Sequence, residues 1–227
     1  MSTTELARPA VLFFDVNETL LDLDPLKVSI GAVLPGPDSL QLWFSTMLHY
    51  SLVMTVAGRK ALLPEIGVAA LRMLAEGRGI ALSQQDAEAA VRPITRLPAH
   101  PDVAPALERL RRAGRRMAAL SNSSTTGLRA QLAYAGIARY FDAQFSVQDV
   151  GLYKPHPAVY HRAARQMRVE PGQAMLVAAH GWDVAGAGWA GLRTAFVRRP
   201  GMAPFPLAGP PELVVRDLDE LARCLGA

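Results

Sequence analysis

The chain has 227 residues, half of them hydrophobic, enough to bury a full core and too apolar for a disordered segment. Its 24 Lys and Arg exceed its 20 Asp and Glu to give a formal charge of +4, yet no aromatic-interleaved basic run points to nucleic acid. The one Cys, Cys224, has no partner for an intrachain disulfide, and no apolar run approaches a membrane span or a signal peptide, so a reducing cytoplasm is the expected setting.

In chain order, Val11-Leu12-Phe13-Phe14 reads as a buried strand that delivers Asp15 at its C-terminal end. Open α/β sheets bind ligands at that edge, and an Asp there can attack an electrophilic carbon or phosphorus. An Asp that merely ends a strand is the alternative. From about Pro25 to Pro98 no strand is expected. Leu40, Trp43, Phe44, Met47, Leu48 and Ser51 follow amphipathic helical spacing, which suits core packing as well as a pocket wall. Further helices are expected over Glu65 to Glu76 and Ser83 to Val91, the second capped by Ser83 with Asp86 three residues on.

Strand-like runs then recur at Arg116 to Leu120, Ala143 to Val147, Ala174 to Ala179, Thr194 to Val197 and Leu213 to Val215. Helical patterns alternate with them at Val103 to Ala113, Thr126 to Ala135, Pro157 to Met167, Asp183 to Ala190 and Leu218 to Leu225. This alternation predicts an α/β, doubly wound, mostly parallel sheet. The pairs Arg111-Arg112, Arg115-Arg116 and Arg198-Arg199 flank strands and are expected to be solvated.

Three more segments carry chemistry. Leu120-Ser121-Asn122-Ser123-Ser124 ends the second strand with hydroxyls and amides that suit an anion, or simply cap the next helix. Gly151-Leu152-Tyr153-Lys154-Pro155 keeps a lysine in a chain that has only Lys27, Lys60 and Lys154 beside 21 Arg. A compact ammonium there could hold Asp15 ionised, although a surface lysine fits the same loop. Ala179-His180-Gly181-Trp182-Asp183 places a histidine and an acid after the fourth strand. That strand should adjoin the first, which brings His180 toward Asp15 and Glu18. His180 is then a candidate water-activating base with Glu18 orienting it; a structural histidine is the alternative. His49, His100, His156 and His161 have no such setting.

Asp15-Val16-Asn17-Glu18-Thr19, Ser121-Asn122, Lys154-Pro155 and Asp183 together resemble the four motifs of the haloacid dehalogenase superfamily, in its type II 2-haloacid dehalogenase branch. The resemblance implies a Rossmann-like core over 1–24 and 98–227 and an inserted α-helical cap over 25–97. It implies hydrolysis of a small 2-haloacid through an ester on Asp15. Thr19, Ser121, Lys154 and Asp183 would position or charge-balance that nucleophile, while Asn17, Phe44, Asn122, Tyr153 and Trp182 would contact a small anionic substrate. No cofactor or metal is implied, nor a nucleic-acid or membrane partner; a homodimer is. Phosphatases of the superfamily carry a second Asp two residues after the nucleophile, to protonate a leaving alkoxide. Asn17 stands there and cannot do so, whereas halide departure needs no proton. The pattern departs from the branch in Phe44, where an Arg follows the Leu-Trp pair, in Asn17, where an aromatic is usual, and in His180, where Asn is usual. A phosphatase or a non-catalytic binding protein of the same fold remains the alternative.

Overall fold

The computed structural model describes residues 8–227. Six strands form one parallel sheet: β1 Val11–Phe14, β2 Met117–Ser121, β3 Ala143–Ser146, β4 Ala174–Ala178, β5 Arg193–Val197 and β6 Leu213–Val215. Their order is β3-β2-β1-β4-β5-β6. β1, β2 and β4 are buried along their whole length, as strands covered on both faces must be, and their runs are correspondingly apolar. Phe14 pairs with Ala119 of β2 and Val177 of β4, so the C-terminal ends of these three strands lie side by side. The chain winds away from β1 in both directions, which makes the edge between β1 and β4 the ligand-binding switch point.

Between β1 and β2 the chain forms four helices, α1 Leu26–Val33, α2 Ser39–Val56, α3 Leu63–Gly77 and α4 Gln84–Val91. The segments leaving and entering this insertion are tied together by an antiparallel bridge between Leu21 and Ala99, with Asp22 N–H donating to Pro98 O at 2.9 Å and His100 N–H to Leu20 O at 2.9 Å. α2 and α3 pack through Trp43, whose Nε1–H donates to Gly67 O at 2.8 Å. Gly67 permits this approach, because a Cβ there would stand 3.0 Å from Met47 Sδ. Ser83 caps α4 by accepting Asp86 N–H at 3.1 Å, as its spacing predicts. The remaining helices, α5 Val103–Arg112, α6 Thr125–Tyr134, α7 Pro157–Gln166, α8 Gly181–Trp189 and α9 Leu218–Cys224, cover the sheet. One continuous apolar cluster runs from the sheet into α1–α4.

The structure differs from the sequence reading in three ways. α1 was not expected, because its buried face is only Leu26 and Ile30 while Val28 is 79% exposed. α8 begins at Gly181 instead of Asp183, since His180 already takes the extended conformation of an N-cap. The arginine pairs are not simply solvated: Arg199 has a side chain only 10% exposed and bonds Thr19 O and Asp102, while Arg115 and Arg116 bond the carbonyls of Leu225 and Met167. Guanidinium groups have enough donors to close strand and helix ends as well as face water. Among the described residues, no helix is long and apolar enough to cross a membrane.

Candidate active site

Asp15 follows β1 and is buried at the sheet edge. Its Oδ1 accepts one bond, from Lys154 Nζ at 2.7 Å, and its Oδ2 accepts two, from Thr19 Oγ1 at 2.7 Å and His180 Nδ1 at 3.2 Å. Thr19 Oγ1 in turn accepts Ala179 N–H at 2.9 Å, so one hydroxyl links the nucleophile loop to the end of β4. Burial alone would favour a neutral Asp15. The Lys154 charge and the His180 hydrogen bond and charge outweigh it and hold the carboxyl well below the usual carboxylate range.

Lys154 is fully buried between two carboxylates, with Nζ 2.7 Å from Asp15 Oδ1, 2.6 Å from Asp183 Oδ2 and 3.0 Å from Leu120 O. Burial works against its charge, but the charges of Asp15 and Asp183 raise its pKa overall. Three donors meet three acceptors, which satisfies the ammonium completely. Nζ also lies 5.9 Å from the Trp182 ring centroid. The second Asp183 oxygen accepts the Tyr160 hydroxyl at 2.5 Å. Burial and the Asp183 charge push the Tyr160 pKa well up, so this hydroxyl stays a donor.

His180 bridges the two sides of the site. Its Nδ1 faces Asp15 and its Nε2 lies 2.7 Å from Glu18 Oε2. Phe44 of α2 stacks beside its ring at 6.1 Å between centroids, and Trp182 at 5.2 Å. Burial would lower the His180 pKa, but hydrogen bonds to Asp15 and Glu18, with their charges, push it up to about 9. Glu18 reaches the ring from a left-handed backbone, φ 60°, uncommon for a residue with a Cβ. Its carbonyl meets His100 Nε2 at 3.1 Å, and the next carbonyl, Thr19 O, accepts Arg199 Nε and Nη2 at 3.1 and 2.9 Å. Arg199 also donates to Asp102, whose other oxygen accepts Leu218 N–H at the start of α9. The strained loop is therefore pinned by the core behind it.

The expected residues do not all converge. Asp15, Glu18, Thr19, Lys154, His180 and Asp183 form one bonded network, with Phe44 and Trp182 against it. Ser121 accepts Ser123 N–H at 3.1 Å, and Asn122 Oδ1 accepts Lys154 N–H at 3.0 Å. Asn122 Nδ2 is buried without a hydrogen-bond partner among the described residues. Tyr153 lies apart from the network: its hydroxyl donates to Ala61 O at 2.7 Å and its ring lines a separate cavity of about 290 Å³. Asn17 is turned aside as well, its Oδ1 accepting Gln131 Nε2 at 2.9 Å, which fastens the loop to α6. Sequence reasoning missed Tyr160, Arg199 and His100. Tyr160 looks like one more core residue of an amphipathic helix, and the other two act across 81 residues or more, a separation no local pattern encodes.

A cavity of about 480 Å³ opens above the network between α2 and the start of α8. Glu18, Lys154 and His180 line the end that meets the Asp15 network, Phe44, Leu48, Leu52, Pro155, Trp182 and Met202 supply its apolar lining, and Gln41, Ser45, His49 and Ser51 complete it.

A parallel sheet with a helical insertion after its first strand places an ion-paired aspartate at the switch point, where α/β proteins of this kind bind their ligands. Residues 9–191 match the haloacid dehalogenase-like hydrolase family, and the chain belongs to it. It is 28% identical over 213 residues to (S)-2-haloacid dehalogenase H-109 of Pseudomonas putida, covering 93% of this chain and 95% of that one. It is 30% identical over 188 residues to (S)-2-haloacid dehalogenase 1 of Pseudomonas sp. strain CBS-3, covering 82% and 83%. Among solved structures, the L-2-haloacid dehalogenase of Xanthobacter autotrophicus with chloropropionic acid covalently bound superposes with a TM-score of 0.89 at 26% identity, over 96% of this chain and 99% of that one.

Proposed function

We propose that the protein is a hydrolytic dehalogenase that converts a 2-haloalkanoic acid to the 2-hydroxy acid and halide through an ester on Asp15. The observation that carries this reading is an aspartate held ionised by a buried lysine, with Asn17 where a phosphatase has its leaving-group acid. Asp15 Oδ1, with one donor against two on Oδ2, keeps the more open lone pair and attacks the α-carbon from behind the halogen. The halide leaves with its electron pair and takes no proton. Asn122, whose Nδ2 has no hydrogen-bond partner among the described residues, receives the substrate carboxylate. Residues 25–97 act as the cap that closes the site over it.

Ester formation removes the negative charge of Asp15. That charge and its hydrogen bond are among the influences that raise the His180 pKa, so ester formation lowers it and favours release of one imidazole proton to solvent. Glu18 retains the Nε2 proton and fixes the tautomer, leaving Nδ1 to accept a proton from water. That water adds to the Asp15 carbonyl carbon. Collapse of the tetrahedral adduct expels the hydroxy acid, with the Asp15 carboxyl proton passing to its oxygen. Asp15 is again ionised and His180 protonated, and each turnover releases one proton. The base is thus formed when the ester needs it.

The direct test is halide release from chloro-, bromo- and fluoroacetate and both 2-chloropropionate enantiomers. Halide release with an Asp15 adduct visible by mass supports the reading. Turnover of phosphate esters alone would overturn it. For the homodimer, Leu52, Val53 and Val56 on the exposed face of α2 offer a surface, Val56 being 90% exposed. A monomer in sedimentation at micromolar concentration would remove it.

A further inference from the structure

The 480 Å³ cavity is larger than a two- or three-carbon haloacid needs, and within the range that encloses drug-sized ligands. Its charged groups gather at one end. Lys154 and His180 are both engaged with carboxylates there, and Glu18 is bonded to His180. Away from that end, Leu48 and Leu52 of α2 line the cavity together with Trp182, Pro155 and Met202, while Gln41, Ser45, His49 and Ser51 add its other polar side chains. Phe44 and Trp182 flank His180, so the apolar wall begins at the reacting atoms and continues outward. Asn122, the proposed carboxylate partner, lines the 290 Å³ cavity on the β2 side and not this one, so the other substituent of the α-carbon is left this wall to lie against.

We infer that the cavity binds an extended apolar substituent, making the preferred substrates 2-haloacids with an alkyl chain of several carbons or an aromatic ring. This rests on the dehalogenase reading. Each buried methylene adds about fourfold in kcat/KM, so a chain of four carbons on the α-carbon should outperform a methyl group by at least about tenfold.

The experiment compares kcat/KM for halide release from racemic 2-bromohexanoate and 2-bromopropionate with the wild-type protein and Ser45→Phe. Ser45 lies on the exposed side of α2 and lines the cavity, so a ring there occupies the chain's space without entering the core. The inference expects the hexanoate to be preferred by about tenfold or more and that preference to shrink severalfold in the variant. Equal or better use of 2-bromopropionate by the wild type would overturn it, as would a preference that Ser45→Phe leaves unchanged. Halide release from neither substrate, with no adduct on Asp15, would overturn the dehalogenase reading itself, a result distinct from a reversed preference.

Discussion

At the scale of single residues, the proposed reaction asks two things of His180 at different moments. Beside an ionised Asp15 its pKa is pushed up to about 9; in the proposed reaction it acts as a base once Asp15 is esterified. His180→Ala should therefore leave the first-turnover burst of halide intact while ester breakdown slows by about 100-fold or more, so that the covalent protein accumulates and is seen by mass. Normal turnover, or loss of the burst itself, would remove His180 from that role. The same group links folding to pH. Its value in the folded protein lies above its ordinary 6.5, so the stability it contributes is complete below pH 6.5 and is lost as pH rises through about 9. The stability difference between wild type and His180→Gln should shrink across that window by a few kcal/mol, at about 1.4 kcal/mol per pKa unit. Denaturant unfolding at pH 6 and pH 9.5 measures it.

Lys154 poses a simpler problem. It is the buried cation shared by Asp15 and Asp183, so Lys154→Met leaves two buried carboxylates without it. Removing one partner of a buried pair costs about 3–5 kcal/mol. We expect a lowered melting temperature together with loss of halide release. Lys154→Arg should not rescue it, since a planar fork does not fit a site built for a compact ammonium.

At the scale of elements, the lysine loop sits where it does because α8 lets it. A Cβ built on Gly186 would fall 2.2 Å from Pro155 Cβ and 3.1 Å from its Cα, so the loop after Lys154 must move if any side chain stands there. Gly188, about half a turn on, is exposed and would meet nothing closer than Thr194 Cγ2 at 3.9 Å. Gly186→Ala should destabilise the fold by about 1–3 kcal/mol and reduce activity by displacing Lys154. Gly188→Ala should be neutral or stabilising by up to about 1 kcal/mol. Paired thermal melts and halide assays check both, and equal behaviour of the two variants would contradict the packing argument.

Much of this architecture is legible in the sequence, for physical reasons. Strands buried on both faces must be apolar throughout, so β1 and β4 stand out, and their adjacency follows from winding rules that brought His180 to Asp15 and Glu18. α1 is not legible, because two buried residues in eight leave hardly any period. Asn17 and Tyr153 lie beside reactive residues in the chain, yet backbone direction turns one toward Gln131 and the other toward Ala61. Adjacency in sequence does not decide where a side chain points. Arg199 is the converse case: a residue that looks like solvated charge closes the nucleophile loop from the far side of the sheet edge.

At the scale of the whole molecule, the sheet supplies fixed charges and the helical insertion supplies an apolar wall. The site lies where they meet. The cation shared by Asp15 and Asp183 is Lys154, and among the described residues no group of three or more His, Cys, Asp and Glu is placed to hold a metal. Activity should therefore survive exhaustive treatment with EDTA. A large loss restored by Mg²⁺ would favour phosphoryl transfer instead. The central claim is the ester on Asp15, and single turnover in ¹⁸O-water tests it most directly. Attack of water on the ester carbonyl places the label in the Asp15 carboxylate first, leaving the first hydroxy acid unlabelled. Label found in the hydroxy acid and absent from Asp15 would mean that water displaced the halide directly, and would contradict the account.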